Sequence, residues 1–459
     1  MSPGACDAGA VTPPPSLPEA RKLGFWMCLA LVVGNMIGTG IFLLPAQLAP
    51  FGFNALLGFV VTVAGSLCLA YVFAALARTM PDVCGAYGYV EAALGPAAAF
   101  FVLWSYWISL WVTNAAIAIG AVSYLTVLAP QLGQGALGPL LAIGFVILFT
   151  IIAGRGARAS GGVQLVTSIL KIIPLAAVIV LGAFALGDAG TERPIGLAPV
   201  PVAFGGIAST AAISLWVMLG FESAVVPSGK VHDPHRTIPR ATIIGTLIVG
   251  FIYLLTLAAV FLLLPVEQAA GSNAPFAEVV AGAWGAGAAA AIAAFAAISA
   301  LGALNGWVLL QAEVPLSLAR ARVFPRAFGR VNRTGMPILG QWLGCLLTCT
   351  LLATNLSRNL AGVYAFMILL ATVATLVLYV AAASSALVLL RRRAVAGTLL
   401  AAAATLGGIY AVWTLWGAGA EAVCWGVALL LSGVPVYLIM RRSDRSSPAA
   451  ESVPAAPPV

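Results

Sequence analysis

Charge is what this sequence lacks. Lysine, arginine, aspartate and glutamate make up 8% of its 459 residues, against 62% hydrophobic residues. A soluble globular domain carries roughly a quarter charged residues, so this chain could not cover a water-facing surface. Histidine occurs only at His232 and His235, in one charged loop, where both read as solvated loop residues. The seven cysteines show no paired metal spacing. Cys28, Cys68, Cys345, Cys349 and Cys424 lie in apolar runs, and Cys345 and Cys349, four apart on one helix face, have no histidine beside them. They read as small buried apolar residues, so neither metal nor cofactor is expected. A phosphate-binding loop and a catalytic triad are also missing, and no nucleotide domain would fit, which argues against an ATP-driven pump and against an enzyme. A channel would need polar residues along several helices, and a receptor a sizeable soluble domain; the sequence offers neither. No signal peptide is evident.

What is present is a series of hydrophobic runs, each of about 18–25 residues, enough to cross a hydrocarbon core of roughly 30 Å. Helices satisfy their own backbone in lipid and are the expected spanning element. The runs place spans near 24–47, 54–78, 97–128, 136–153, 161–187, 206–226, 241–265, 283–318, 337–354, 359–390, 396–416 and 420–440. The expected fold is therefore an all-α membrane protein with twelve transmembrane helices. Residues 1–20 and 443–459, rich in proline, serine and alanine, are expected to be disordered cytoplasmic tails around a transmembrane domain at 21–442. The segment 79–96 is less apolar and reads as a cytoplasmic loop with an interfacial helix.

With the N-terminus in the cytoplasm, every lysine and arginine falls in a cytoplasmic segment except Arg193, Arg358 and the mid-span Lys171. That distribution obeys the positive-inside rule, and an error of one helix would scramble it. The net charge of +8 is thus a topology signal, and no nucleic-acid partner is expected.

Three places carry chemistry. The first span contains Gly34-Asn35-Met36-Ile37-Gly38-Thr39-Gly40. Its glycines weaken a helix interior, and an unwound stretch survives in a membrane only where it lines a cavity or is buried in protein. Freed amides there could hold a carboxylate and freed carbonyls an amine or cation; the plainer alternative is close helix packing through small residues. The sixth span contains Trp216-Val217-Met218-Leu219-Gly220-Phe221-Glu222-Ser223, with a second weak point at Gly220 and an acidic group at membrane depth, where such groups face a cavity or a partner. Interrupted helices in corresponding positions of two halves point to a transporter site. Lys171 lies too far from either end of its span to snorkel easily; it could exchange a proton, act as a fixed cation, or simply pair with carbonyls. Tyr106, Trp107, Trp111, Trp216 and Trp307 also lie in spans, as packing or as aromatic walls for a cationic substrate.

These residues also carry a resemblance. The stretches GNMIGTGIFLLPAQLA (34–49), SLWVMLGFESA (214–224) with HDPHRTIPRAT (232–242), GWVLL (306–310) and FPRAFGRVNRTGMP (324–337) resemble the amino acid–polyamine–organocation superfamily over roughly residues 20–440, and within it bacterial basic amino acid/polyamine antiporters of the arginine/agmatine type. The resemblance implies an inverted five-helix repeat of the leucine-transporter type, repeat one at about 24–187, repeat two at about 206–390 and two extra helices at about 396–440, with helices 1 and 6 broken beside a midplane site. It implies that Asn35, Met36, Gly38, Thr39 and Gly40 cradle the substrate's carboxylate and α-amino group. Trp216, with Leu219 one turn on, would stack on the substrate and help close an outer gate. Tyr106, Ser109, Leu110 and Asn114 would line the third helix, and Trp307 would form the distal wall. Glu222 matches a residue used in proton-linked coupling, and Tyr379 a gate tyrosine. Ala371 stands where the resemblance implies a small polar residue and Leu110 where it implies a smaller one, which makes the pocket less polar. Lys171 instead resembles a lysine of sodium-independent permeases, where it stands in for a sodium ion.

The sequence is therefore expected to encode a multi-pass protein of the bacterial inner membrane. The expected function is a sodium-independent secondary transporter of amino acids, with basic amino acid/polyamine exchange as the leading mode. Proton-coupled uptake of neutral or broad-range amino acids is the alternative. Its expected partners are a small-molecule substrate, membrane lipid and, as an open alternative, a second copy of the chain.

Overall fold

A computed structural model describes residues 24–80, 85–155, 167, 170–187, 198–224, 233–356 and 359–446. The expected tails at 1–20 and beyond 446 lie outside the described residues, as do Lys230, Arg158, Arg193, Arg358 and His232. The described residues fold into α-helices and short 3-10 turns, with no strand among them.

The first apolar run is two helices, α1 (Phe25–Met36) and α2 (Gly40–Leu48), bent by 41°. Then come α3 (Asn54–Thr79), α4 (Gly85–Leu94), α5 (Pro96–Leu125), α6 (Leu137–Gly154), α7 (Ile172–Gly187) and α8 (Phe204–Met218). The rest of the chain forms α9 (Pro234–Leu263), α10 (Val266–Gly271), α11 (Pro275–Arg320), α12 (Ile338–Ala353), α13 (Leu360–Arg391), α14 (Thr398–Gly417), α15 (Ala420–Leu431) and α16 (Gly433–Ser446). Among the described residues, eight helices are long and apolar enough to cross a membrane, and the bent α1–α2 pair adds a ninth. The apolar helices α7, α8 and α12 are shorter. A helix does lie within the 79–96 segment, α4. The eighth expected span lies within α11, whose first turns are set off by a kink at Gly285 with φ 82°. The last helix runs to Ser446, four residues past the expected end of the transmembrane domain.

Several hydroxyls inside these helices are satisfied locally. The hydroxyls of Thr62, Thr150, Thr246 and Thr372 each donate to the carbonyl four residues back at 2.7–2.8 Å, so they put no unpaired group into an apolar setting. The centre of the bundle is α5, whose most apolar stretch is 94% buried; it packs between α11 and α13, with α6 and α12 beside it. The α15–α16 segment at the periphery is only 6% buried and is tied to α5 by Trp104, whose Nε1 donates to the Leu429 carbonyl at 3.2 Å.

The 324–337 stretch has a structural use. Asn332 Nδ2 donates to the Gly154 carbonyl at 3.1 Å, while its Oδ1 accepts from the amides of Thr334 and Met336. One side chain thereby clamps the loop after α11 to the end of α6.

Candidate functional site

A helix that stops in an apolar environment leaves its last carbonyls without partners. At the end of α1 these are met from elsewhere in the bundle. Lys171 Nζ, just before α7, donates to the Gly34 carbonyl at 2.6 Å. Tyr253 of α9 donates its hydroxyl to the Met36 carbonyl at 2.7 Å. Ile37 then turns extended, and α2 starts after Thr39 with no side chain capping its first amides. The Thr39 hydroxyl is buried and finds no partner among the described residues, so a polar face is held ready at that N-terminus.

The second interruption is of opposite kind. α8 stops at Met218, Leu219 is extended, Gly220 has φ +113°, and a 3-10 turn covers Phe221–Ala224. That φ is strained for residues other than glycine. The freed Gly220 amide donates to Glu222 Oε2 at 3.1 Å. Tyr379 of α13 donates to the same oxygen at 3.1 Å and Tyr106 of α5 to Oε1 at 3.3 Å. Phe221 stacks on the Tyr379 ring, centroids 5.3 Å apart, and Phe73 meets it edge-on. A buried carboxylate thus has three donors inside an aromatic shell, the condition under which a buried acidic group is tolerable.

The two interruptions touch. A Cβ on Gly40 would lie 2.5 Å from Val217 Cγ1 and 2.9 Å from Trp216 Cζ3, and one on Gly220 would lie 3.2 Å from the Asn35 carbonyl carbon. The missing side chains at Gly40 and Gly220 let the two interruptions pack this closely. Beside the contact is a void of about 20 Å³, room for about one water and too small in this conformation for an amino acid.

Of the residues singled out from the sequence, Asn35, Met36, Gly38, Thr39, Gly40, Trp216, Leu219 and Trp307 line the void. Trp216 is fixed by its Nε1, which donates to Thr113 Oγ1 at 3.3 Å, and by the edge of Tyr364. Tyr106, Tyr379 and Glu222 form the adjoining carboxylate cluster. Lys171 meets the first interruption at Gly34 and does not line the void. Asn114 and Leu110 are buried outside the void's lining: Asn114 Nδ2 donates to Gln311 Oε1 at 2.7 Å. Ser109 bonds back to the Tyr106 carbonyl, and Ala371 is buried on α13. Thr113, Ile117 and Val217 also line the void; the sequence reading missed them. Thr113 and Ile117 share a helical face with Tyr106 and Leu110, a periodicity that could have found them. No group of three or more His, Cys, Asp or Glu side chains among the described residues could hold a metal.

Known proteins resemble this chain in sequence. The family described as amino acid permease matches residues 23–443. A putative arginine/ornithine antiporter of Bacillus subtilis (strain 168) is 31% identical over 398 residues, covering 79% of this chain and 83% of that protein. A cadaverine/lysine antiporter of Escherichia coli (strain K12) is 30% identical over 347 residues, covering 75% and 77%. A putrescine transporter of the same strain is 29% identical over 423 residues, covering 91% and 96%.

Proposed function

The chain belongs to the amino acid permease family, and from that premise we propose that it exchanges basic amino acids or polyamines across a bacterial inner membrane, without sodium, by alternating access. It is an integral membrane transporter and not an enzyme. The observation that carries the reading is the contact of two interrupted helices through Gly40 and Gly220 beside a void edged by uncapped amides and two indoles. The named cargoes of its relatives supply the substrate class: arginine and ornithine, lysine and cadaverine, putrescine.

The α2 N-terminus carries a partial positive charge suited to a substrate carboxylate. Trp216 and Trp307 offer aromatic faces to a cationic side chain. Both must part for a molecule of that size to enter, so binding is coupled to movement of the two half-helices. Glu222 holds the stub of the second interruption through Gly220, and its protonation would change that grip. Lys171 sets its amine against the Gly34 carbonyl of the first interruption, where it would take the place of a sodium ion. In this reading the nine long spans together with α7, α8 and α12 make twelve crossings, arranged as two inverted five-helix repeats plus α14 and the α15–α16 segment, with both termini cytoplasmic.

The test is exchange in proteoliposomes of the purified protein. Vesicles loaded with unlabelled arginine, ornithine, lysine, cadaverine or putrescine should take up labelled basic substrate, with sodium replaced by choline, whereas empty vesicles should not. Uptake into empty vesicles driven by a pH gradient would make the protein a symporter, and uptake of leucine alone would remove the basic substrate class.

A further inference from the structure

Between α13 and α14 lies an apolar groove of about 500 Å³, walled by Val380, Ala383 and Leu387 on one side and Ala404, Gly408 and Val412 on the other. It is on the outside of the bundle, where Ile409 and Val412 are exposed. In a membrane protein such a face meets lipid. What sets this groove apart is its foot. Leu387, its last α13 residue, is one helical turn from Arg391, on the same face. Arg391, Arg392 and Arg393 follow in succession and are exposed, and they form no ion pair among the described residues.

The backbone there is arranged around these charges. Arg392 Nη1 donates to the Ala92 carbonyl of α4 at 2.9 Å. Arg393 takes the left-handed conformation, φ 57°, that ends α13, with the Ala394 amide reaching back to the Leu389 carbonyl. Glycine usually holds that position because it has no Cβ to strain, yet here an arginine stands in it. Four residues later α14 starts behind Gly397 with no side chain capping its amides, and uncapped amides at a helix start favour an anion.

An apolar slot running into a cluster of arginines beside a helix N-terminus fits one kind of molecule, an amphiphile with a hydrocarbon chain and an anionic head. We propose that the groove is a binding site for an anionic phospholipid, with the phosphate at Arg391, Arg393 and the start of α14 and an acyl chain between α13 and α14. Basic pockets between membrane helices are known to take anionic head groups. The site bears on the transport machinery. Tyr379, the residue before Val380, donates to Glu222, so the lipid would brace the outer side of the helix whose inner side holds the carboxylate. This inference needs the chain to be a membrane protein and is independent of its substrate.

The experiment is native mass spectrometry of the purified full-length protein released from micelles doped with phosphatidylglycerol or with phosphatidylcholine. One phosphatidylglycerol should be retained and phosphatidylcholine should not. The double variant Arg391→Gln/Arg393→Gln should lower that retention roughly tenfold or more. Gly408→Leu should lower it as strongly without altering charge, because a Cβ there meets Ala383 Cβ at an ordinary 3.4 Å and the rest of the side chain fills the groove. Arg392→Gln, which loses only the bond to α4, should retain the lipid. All variants are checked for an unchanged melting midpoint; the arginine pair is exposed, so that arm stands even if Gly408→Leu fails to fold. Equal retention of the two lipids, or retention unaffected by the arginine pair, would overturn the site. Displacement of the lipid by inorganic phosphate would reduce it to an anion site without use of the groove.

Discussion

At the first interruption the chain strands carbonyl oxygens, whereas at the second it strands an amide, and the two are satisfied from different directions. The carbonyls of Gly34 and Met36 are met by Lys171 and Tyr253, side chains more than a hundred residues away. The Gly220 amide is met by Glu222, two residues along the same stretch. One interruption is therefore fixed by its neighbours and the other largely by itself, with Tyr106 and Tyr379 as outside help. The difference teaches where motion can start. A stub held by its own carboxylate can be loosened by a single proton, while a stub held by two other helices moves only if they move with it.

The largest effect should come from destroying the contact between the two. Gly40→Val places methyl groups where Val217 and Trp216 already stand, so exchange in proteoliposomes should fall about a hundredfold or more, as overpacking forces neighbours apart. Near-normal exchange with the protein still monodisperse would show that the contact is dispensable. Next is the first interruption's cation. Lys171→Met leaves the Gly34 carbonyl buried without its donor, at a cost of about 1–3 kcal/mol, and should lower both the melting midpoint and the exchange rate, the latter about tenfold. An unchanged midpoint would mean that water or another donor replaces the amine.

At the second interruption the proposed titrating group is Glu222. Glu222→Gln keeps an acceptor for Gly220 but cannot titrate, so exchange measured from about pH 5 to about pH 8 should become nearly flat while the unaltered protein varies. Superimposable profiles would assign the coupling elsewhere. The smallest effect is expected from Tyr253→Phe, which removes one hydrogen bond to Met36 while Lys171 remains, for a loss of about 1 kcal/mol in stability. A drop as large as that of Lys171→Met would mean that the two donors act as one unit.

Much of this was legible in the sequence because it depends on composition along a short stretch. Long apolar runs announce the long apolar helices, the glycines at 34, 38 and 40 announce the first interruption, and Gly220, two residues before Glu222, announces the second. The 324–337 stretch was legible as a likeness, but not as the clamp made by Asn332. What escaped was pairing across the bundle. Lys171 could be seen to lie at membrane depth, yet nothing near it in sequence reveals that its acceptor is Gly34, 137 positions away. Nor does anything reveal that Asn114 turns to Gln311, or that Val217 stands over Gly40. Such partners are fixed by how the helices pack, and the periodicity of one helix carries no record of which neighbour it meets. The same holds for the groove beside α13, whose walls belong to two helices and whose arginines, read along the chain, signal only topology.

The small void beside the two interruptions has a further consequence. A space that admits about one water molecule cannot hold a file of solvent, so at this point of the molecule there is no chain of waters along which protons could hop. A carrier in this shape offers no water-filled passage at that void.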